Sequence, residues 1–519
     1  MEFTEKNDAM LDVGGEICVR AVQKNRETAE CSRDFILPDL YADIKKIISY
    51  SGSISPESSF VDGSKAVYGG TLNLKVLFID DESRVRSVSF SQDYSGNIAL
   101  TDEDGYGEYN VISCPVLESF SVRMANPRKL SVRGRIDPGV KIWKKLVSTP
   151  SGIDTKGDNG ESCEVKRETS NCIYPFSVFC GDLEINEDIR LDSSVKEIVF
   201  CDAKIDVSEC VPENDRVNVK GSVDIDMIGY SMEGSDPIYI NRRSDFSQIV
   251  DVKLPDSIED FVCCGYAYVR SIDFAVGGES SEENSKAEID IGYGVTVAGL
   301  SQGKCSYISD AYLPTKNLAL RSDTIVRSEN PEKVNKLLRM EACTDNMLPE
   351  GAKVLFARVV PHIDSVVLRE GIGYALGDAQ ISVVYKESDG IVSCSAFNEG
   401  IEVELGEMSE FDEYLLTKRV SSVNVRNEDD RLCVGYDIDI SLLTWKNETG
   451  EMVSSVTLLE SSQENKRKPF TVCYPARGEK LWDIGKKYGV SIDSLKKANP
   501  ACNETSGDLP NVILVASGK

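Results

Sequence analysis

Alternating apolar and polar residues run through most of the chain and predict β-strands. Leu72, Leu74 and Val76 alternate with polar residues, and Val223 and Ile225 do so further along. A period of two is typical of strands with one buried face. A glycine just before each run is expected at a bend or bulge. The fold class predicted from this pattern is mainly β.

The strand pattern occurs three times and predicts tandem β-rich repeats. Gly70, Gly221 and Gly377 mark the copies and are 151 and 156 residues apart. In each copy an apolar residue stands 22 or 23 positions before the glycine, and a phenylalanine follows it by 20 to 25 positions. The apolar residues are Ile48, Ile198 and Leu355, and the phenylalanines are Phe90, Phe246 and Phe397. Each copy also ends in an alternating strand, around Val132, Ile289 and Val434.

Polar stretches divide the chain into the predicted domains. Residues 148–169 are rich in Gly, Ser and Asp, which predicts a linker or mobile loop, and 277–285 predict an exposed acidic hairpin tip. Val334, Leu337 and Leu338 lie at helical spacing, so a helix is predicted over 331–340, between the second and third copies. The predicted domains are β domains at 10–147, 170–328 and 331–460, a charged tether at 461–469 and a terminal domain at 470–516.

The terminal domain shows a different pattern, with strand, helix, helix and strand in about fifty residues. Phe470 begins a strand, and Leu481 begins a helix that Gly489 ends as a C-cap. Ser491 caps a second helix, which Pro500 stops. A return strand is predicted over 511–515.

This order, with a tryptophan after the first turn, resembles a LysM domain. LysM domains bind N-acetylglucosamine polymers such as peptidoglycan in a groove between the first strand–helix loop and the loop after the second helix. The resemblance implies that the groove residues are Arg477, Gly478, Glu479, Lys480, Leu481, Trp482, Ala498, Asn499 and Pro500. The chain departs from the family pattern Gly-Asp-Thr-Leu-Trp, because Glu479 and Lys480 replace the second and third residues. It also carries four additional residues at 473–476.

Two interpretations of this groove stay open. Arg477, Glu479 and Lys480 are polar and suit contacts to a partner protein, whereas retention of the family ligand would make the domain a glycan binder. Trp482 either packs under the strands of its own domain or presents an aromatic anchor to a partner. The charged tether is expected to leave the domain free to find its ligand.

The repeats also resemble a known domain. A glycine-centred β unit with Leu37-Pro38-Asp39 before it and NPRKLSVR from Asn126 after it is similar to the SPOCS domain of sporulation proteins. Several such copies followed by one LysM domain resemble the SipL-type family of spore-coat morphogenetic proteins. That resemblance implies a cytoplasmic protein of the mother cell, located at the forespore surface. It also implies that the LysM domain holds the coat-basement ATPase or another coat protein. The basic strand from Asn126 is interpreted either as a solvated face or as a contact surface.

Charge and length narrow the function classes. A chain of 519 residues is too long for one core. Its net charge is −28, although residues 463–519 carry ten basic and six acidic residues. The acidic body argues against a nucleic-acid partner. No apolar run is long enough for a transmembrane helix, and the first ten residues show no export signal.

The cysteines favour a reducing compartment. The chain has 16 cysteines but no C-x-x-C pair, and Cys201, Cys263 and Cys433 fall within apolar strand patterns. Reduced cysteine behaves as a small buried apolar residue, so free thiols are predicted. With one histidine, His362, no zinc site is predicted, and the prediction names no cofactor.

Three patterns that suggest catalysis have simpler interpretations. Residues 299–303 match G-x-S-x-G around Ser301, which would make the protein a hydrolase, but the flanking residues alternate and predict a hairpin turn. The glycines at 371–377 lack a βαβ context and are interpreted as strand glycines. His362 is interpreted as a structural residue. The chain is therefore predicted to be a non-enzymatic assembly factor, with a peptidoglycan-binding protein as the alternative.

Overall fold

The computed structural model of the chain describes residues 17–22, 28–100, 108–147, 163–191, 195–231, 237–252, 261–277, 286–314, 317–428, 431–458, 470–503 and 509–516. Strands dominate these residues, which confirms the mainly β fold class. Of the segments predicted as loops, 148–162, 278–285 and 461–469 lie outside the described residues.

Three β units follow one another along the chain. The first contains β1 (Ile17–Val22), β2 (Ala29–Ile36), β3 (Ile44–Asp62), β4 (Lys65–Asp80), β5 (Val85–Ala99), β6 (Glu108–Ser113), β7 (Val116–Asn126), β8 (Lys129–Asp137) and β9 (Val140–Val147). The second contains β10 (Glu164–Arg190), β11 (Val195–Glu213), β12 (Arg216–Ser231), β13 (Pro237–Asp251), β14 (Phe261–Gly277) and β15 (Lys286–Tyr312). The third contains β16 (Leu318–Thr344), β17 (Lys353–Arg369), β18 (Ile372–Lys386), β19 (Val392–Glu407), β20 (Glu413–Glu428) and β21 (Arg431–Leu458).

Every unit combines two kinds of antiparallel three-stranded sheet. One is a meander with strands in chain order, as in β3-β4-β5, β11-β12-β13 and β17-β18-β19. In the other, the last strand of the unit lies between its first strand and its penultimate strand, as in β10-β15-β14 and β16-β21-β20. The first unit divides this second sheet into β2-β8-β7 and β1-β9-β6. Pro138 and Gly139 (φ 55°) separate β8 from β9, because neither continues a strand there.

The glycines that mark the repeat lie opposite bulges, as the sequence predicts. Gly70, Gly221 and Gly377 each pair with the preceding strand next to a register shift in that strand. The bulge turns a backbone carbonyl toward the glycine. A Cβ at any of the three positions would lie closer than 3.0 Å to that oxygen, which belongs to Ser55, Asp206 or His362.

Each unit has its own apolar core, and two further clusters join all three units. Alternating residues such as Leu72, Leu74 and Val223 are buried inside the units, as predicted. One joining cluster, here called the meander cluster, contains Ile48, Leu77, Val199, Phe200, Phe356 and Val384. The other, here called the tryptophan cluster, contains Ile112, Trp143, Cys264, Leu300, Leu415 and Trp445. The three units therefore pack against one another.

Three predictions about secondary structure are wrong. The helix expected over 331–340 is part of β16, which also crosses the expected domain boundary between 328 and 331. Pro331 is accommodated at a bulge, since the pairing of β16 with β21 shifts between Glu329 and Glu332. Residues 299–303 lie inside β15 and form no hairpin turn. Residues 164–169 of the expected linker belong to β10.

The terminal unit comprises β22 (Phe470–Cys473), α1 (Leu481–Tyr488), α2 (Ile492–Ala498), a short 3-10 helix (Pro500–Asn503) and β23 (Ile513–Ala516). Its two strands form an antiparallel pair. The predicted start of α1 at Leu481 and its left-handed cap at Gly489 (φ 62°) are confirmed. So is the cap of α2, where the hydroxyl of Ser491 accepts from the Ser494 amide.

Candidate functional site

The candidate site is built on the core of the terminal unit. Ile484, Leu495 and Ile513 are fully buried between the helices and the strand pair. Burial of these side chains orients α1 and α2 and thereby sets the two loops that the sequence predicts as a groove.

The first groove loop is a stable turn with exposed basic side chains. Gly478 has a φ of 82°, a conformation that favours glycine. The Ala476 amide donates to the Glu479 carboxylate at 2.8 Å, and the Lys480 amide donates to Asp483 at 2.9 Å. Glu479 is therefore occupied within the turn, whereas Arg477 and Lys480 are exposed. Leu481 packs on the core of the unit.

The second groove loop is held by Asn499, which the sequence placed among the contact residues. The Asn499 amide donates to the carbonyls of Leu495 and Leu514, and its oxygen accepts from the Leu514 amide, each at 2.8 Å. These three hydrogen bonds fasten the end of α2 to β23. Ala498 is half-buried and Pro500 is exposed at the start of the 3-10 helix. Asn499 thus has a structural role that side-chain type alone did not reveal.

Trp482 follows neither predicted interpretation. Its indole Nε1 donates to Asp310 at 2.9 Å, and its ring meets the ring of Tyr312 edge-on at 5.0 Å between centroids. Asp310 and Tyr312 end β15 in the second unit. Trp482 therefore contacts the second unit and does not pack beneath β22 and β23.

Further contacts join the terminal unit to the end of β15 in the second unit. The Lys486 ammonium donates to both oxygens of Asp310 at 2.6 and 2.7 Å. The Tyr312 hydroxyl donates to the Val490 carbonyl at 2.8 Å. Gly485 leaves space for this hydroxyl, since a Cβ there would collide with it. The terminal unit is therefore docked on the second unit, and the expectation of a freely searching domain is corrected.

Exposed apolar side chains lie on β22 and β23 and on the residues next to them, Tyr474 after β22 and Val512 before β23. Phe470, Val472 and Tyr474 follow one another at a period of two and are 69%, 52% and 75% exposed. Val472 pairs with Leu514 across the strands, and Leu514 and Val512 are also exposed. We call these five residues the apolar strip. Contiguous apolar surface of this kind is typical of interaction sites.

The other residues singled out by sequence are structural in the described part of the chain. Ser301 is fully buried and donates to the Tyr174 carbonyl at 2.9 Å. The rings of Phe176 and Tyr174 lie over Gly299 and Gly303, which explains both glycines of that motif. His362 pairs with Asp364 at 3.0 Å.

The basic segment from Asn126, predicted as one strand, instead forms the end of β7, a turn and β8, and its cations bind the segment at 34–43. The Arg128 guanidinium donates to the carbonyls of Tyr41 and Pro38 at 3.0 and 3.1 Å and to Asp43 at 2.9 Å. Lys129 pairs with Asp34 at 2.7 Å. The segments that carry the SPOCS resemblance therefore hold each other in place.

One cysteine pair departs from the prediction of free thiols. Cys343 and Cys433 form a disulfide between β16 and β21. Together with Glu341 they are the group of possible metal ligands in the described ranges, but disulfide sulfurs are not thiolate ligands. Cys201 and Cys263 are buried free thiols, as predicted, and burial raises the pKa of Cys201 to about 12.

Comparison with protein-family models and with curated proteins finds no match for this chain. Among the helices that the structure describes, none combines the length and apolar character required to span a membrane.

Proposed function

We propose that the chain is a non-enzymatic assembly protein whose terminal unit binds a partner protein. Its resemblance to SipL-type proteins makes the coat-basement ATPase of the mother cell the proposed partner. On this proposal the three β units form the platform that positions the terminal unit at the forespore surface.

The apolar strip is the observation that carries the proposal. Val472, Val512 and Leu514 are aliphatic and exposed, and removing this apolar surface from water against a partner protein would favour association. The exposed cations Arg477 and Lys480 lie in the loop that leads from this strand pair into α1. An apolar centre beside basic residues suits a partner with an apolar and acidic surface.

Peptidoglycan binding is the second candidate, and the site supports it less well. Of the polar residues predicted for the groove, Asn499 and Glu479 are occupied by backbone groups within the unit. Trp482, which could stack on a sugar ring, lies against Tyr312. Tyr474 is exposed, and its ring could stack on a sugar, which favours a glycan.

Affinity purification from sporulating cells tests the proposal. Full-length wild type is compared with a Val472→Glu, Leu514→Glu double variant and with Ile249→Glu, which changes an equally exposed apolar residue on β13. We expect the coat-basement ATPase to co-purify with wild type and with Ile249→Glu but not with the double variant. Retention of the ATPase by the double variant would refute the strip as its site.

Sedimentation with insoluble peptidoglycan distinguishes the glycan candidate. Strong sedimentation of the full chain that is lost in Lys480→Ala would favour the sugar-binding function. Absence of sedimentation together with ATPase capture would favour the assembly function.

A further inference from the structure

A large cavity with both apolar and polar walls lies where the three β units meet. Its volume is about 1300 Å³, above the roughly 300–1,000 Å³ that is usual for small-molecule pockets. It borders both joining clusters, since Ile48 of the meander cluster and Leu415 of the tryptophan cluster line it. We call this cavity the chamber.

Nearly all acidic and basic side chains that line the chamber in the described part of the chain are already paired. Arg358 pairs with Asp202 at 2.6 Å, and Lys204 pairs with Asp206 at 2.5 Å. The remaining pairs are Lys75 with Asp202, Lys141 with Glu413, Arg270 with Asp182, Arg419 with Asp439, Glu118 with Arg135, and His362 with Asp364. Asp137 accepts from the Gly139 amide. These groups stabilise the walls and are satisfied without a ligand.

Among the acidic and basic side chains that line the chamber in the described ranges, Lys418 and Asp378 are the exceptions. Neither has a hydrogen-bond or ion-pair partner within the part of the chain that the structure describes. Lys418 lies on β20, and Asp378 lies on β18 opposite His362. The two charges influence each other, because Asp378 is among the carboxylates that favour the protonated form of Lys418. They are nevertheless too far apart for a direct ion pair.

We propose that the chamber binds a small zwitterion of the amino-acid or dipeptide class, with its carboxylate on Lys418 and its ammonium on Asp378. Both side chains are partly withdrawn from water, and a charge in that position without a partner is stabilised by a ligand of opposite charge. Two unpaired charges of opposite sign in one chamber select a ligand that carries both signs. Hydroxyl and amide side chains on the walls, such as Ser382, Gln380 and Asn398, suit a polar ligand.

Lys418 supports this assignment through its titration. Burial lowers the pKa of Lys418 to about 8, although Asp364 and Asp378 oppose the shift. Its ammonium is therefore poorly compensated when the chamber holds water alone, and a carboxylate at hydrogen-bond distance would stabilise it.

Binding to the full-length chain tests the proposal. The probes are the twenty standard α-amino acids and dialanine, each at millimolar concentration, with propionate and ethylamine as probes that carry one charge only. Differential scanning fluorimetry finds a stabilising probe and isothermal titration calorimetry measures its Kd. We expect at least one zwitterionic probe to bind, and neither single-charge probe to bind comparably.

Variants then assign the site. Lys418→Met and Asp378→Asn should each weaken binding roughly tenfold to a hundredfold, the loss expected for one charge-assisted hydrogen bond. Lys65→Gln, which removes an exposed cation outside the chamber, should leave the Kd unchanged.

Failure of every zwitterionic probe to bind would overturn the proposal. The proposal would also be overturned if Lys418→Met and Asp378→Asn bound the zwitterion as tightly as wild type does. It would be overturned, too, if wild type bound propionate or ethylamine as tightly as the zwitterion. The Val472→Glu, Leu514→Glu variant should bind normally, which separates this proposal from the function of the terminal unit.

Discussion

Gly70, Gly221 and Gly377 are the residues by which the repeat can be seen in the sequence, and their role is steric. In each unit a bulge in the preceding strand brings a carbonyl oxygen against the glycine Cα. A side chain at that position would displace the bulge and with it the pairing of the meander. The spacing of the repeat therefore reflects a backbone contact rather than a ligand.

Gly377→Ala is predicted to destabilise the protein by about 1–3 kcal/mol, as expected for overpacking against a rigid neighbour. The matched control is Gly400→Ala on β19, where a Cβ has no atom within 4 Å. That change should be neutral or slightly stabilising, because alanine reduces the freedom of the unfolded chain. Urea unfolding measures both free energies. Equal values for the two variants would contradict the steric role of Gly377.

Lys418→Met is predicted to stabilise the ligand-free protein near neutral pH by about 1–3 kcal/mol. Burial lowers the pKa of Lys418 to about 8 in the folded state, below the value of about 10.4 in the unfolded chain. The cost of the buried ammonium is therefore fully present below pH 8 and disappears as the pH rises toward about 10.4. The advantage of the variant should shrink over the same range in thermal unfolding. A constant advantage from pH 7 to about 10.4 would contradict the depressed pKa.

At the scale of elements, the sequence predicts best where local signals and packing agree. Gly489 and Ser491 bound the helices of the terminal unit because their caps satisfy backbone groups locally. The predicted helix at 331–340 fails because Val334, Leu338 and Met340 also fit a period of two and pack on the core of the third unit. Leu338 and Ala342 are buried and Leu337 is 49% exposed, as pairing with β21 requires.

Other parts of the site depend on contacts between distant elements and could not be predicted. Trp482 is positioned by Asp310, 172 residues away in the chain, and no local pattern links them. The structural role of Asn499 depends on its hydrogen bonds to Leu514 of β23, which no local pattern predicts. The disulfide between Cys343 and Cys433 follows from the register of β16 and β21. That register could not be predicted while part of β16 was assigned to a helix.

Asp310→Lys is predicted to release α1 from β15. The carboxylate accepts from Trp482 and Lys486, and a lysine would repel Lys486. Acrylamide quenching measures the release, because Trp143 and Trp445 are each only 2% exposed and Trp482 supplies the responsive signal. The quenchable fraction should rise in the variant, whereas Asp273→Lys, at an exposed acid of β14, should behave as wild type. Unchanged quenching in Asp310→Lys would show that this carboxylate does not hold the terminal unit.

Acid should also release the docked unit. Burial would raise the pKa of Asp310, but the hydrogen bonds from Lys486 and Trp482 outweigh it and lower that pKa. The stabilisation is therefore present above the unfolded value of about 3.9 and is lost as the pH falls through the lower folded value. Quenching of wild type should increase over that acidic range.

At the scale of the whole molecule, one carboxylate joins all three β units. Asp202 of the second unit accepts from Arg358 of the third at 2.6 Å and from Ser51 of the first at 3.1 Å. Lys75 of the first unit lies 3.5 Å away. Burial would raise the pKa of Asp202, but Arg358 and Lys75 lower it. The repeat pattern predicts each unit separately, whereas this junction arises only when the units pack together.

Asp202→Asn should therefore weaken the whole assembly, by about 3–5 kcal/mol, because it leaves Arg358 and Lys75 without their buried counter-charge. The comparison is Glu402→Gln, which breaks the exposed pair with Arg369 and should cost at most about 1 kcal/mol.

Urea unfolding followed by both circular dichroism and tryptophan fluorescence measures the effect. The two probes should coincide in wild type if the junction makes the units cooperative, and separate in Asp202→Asn. The difference between wild type and variant should also vanish as acid protonates Asp202, since its stabilisation exists only above the depressed folded pKa. A loss no greater than that of Glu402→Gln would mean that the apolar clusters alone hold the three units together.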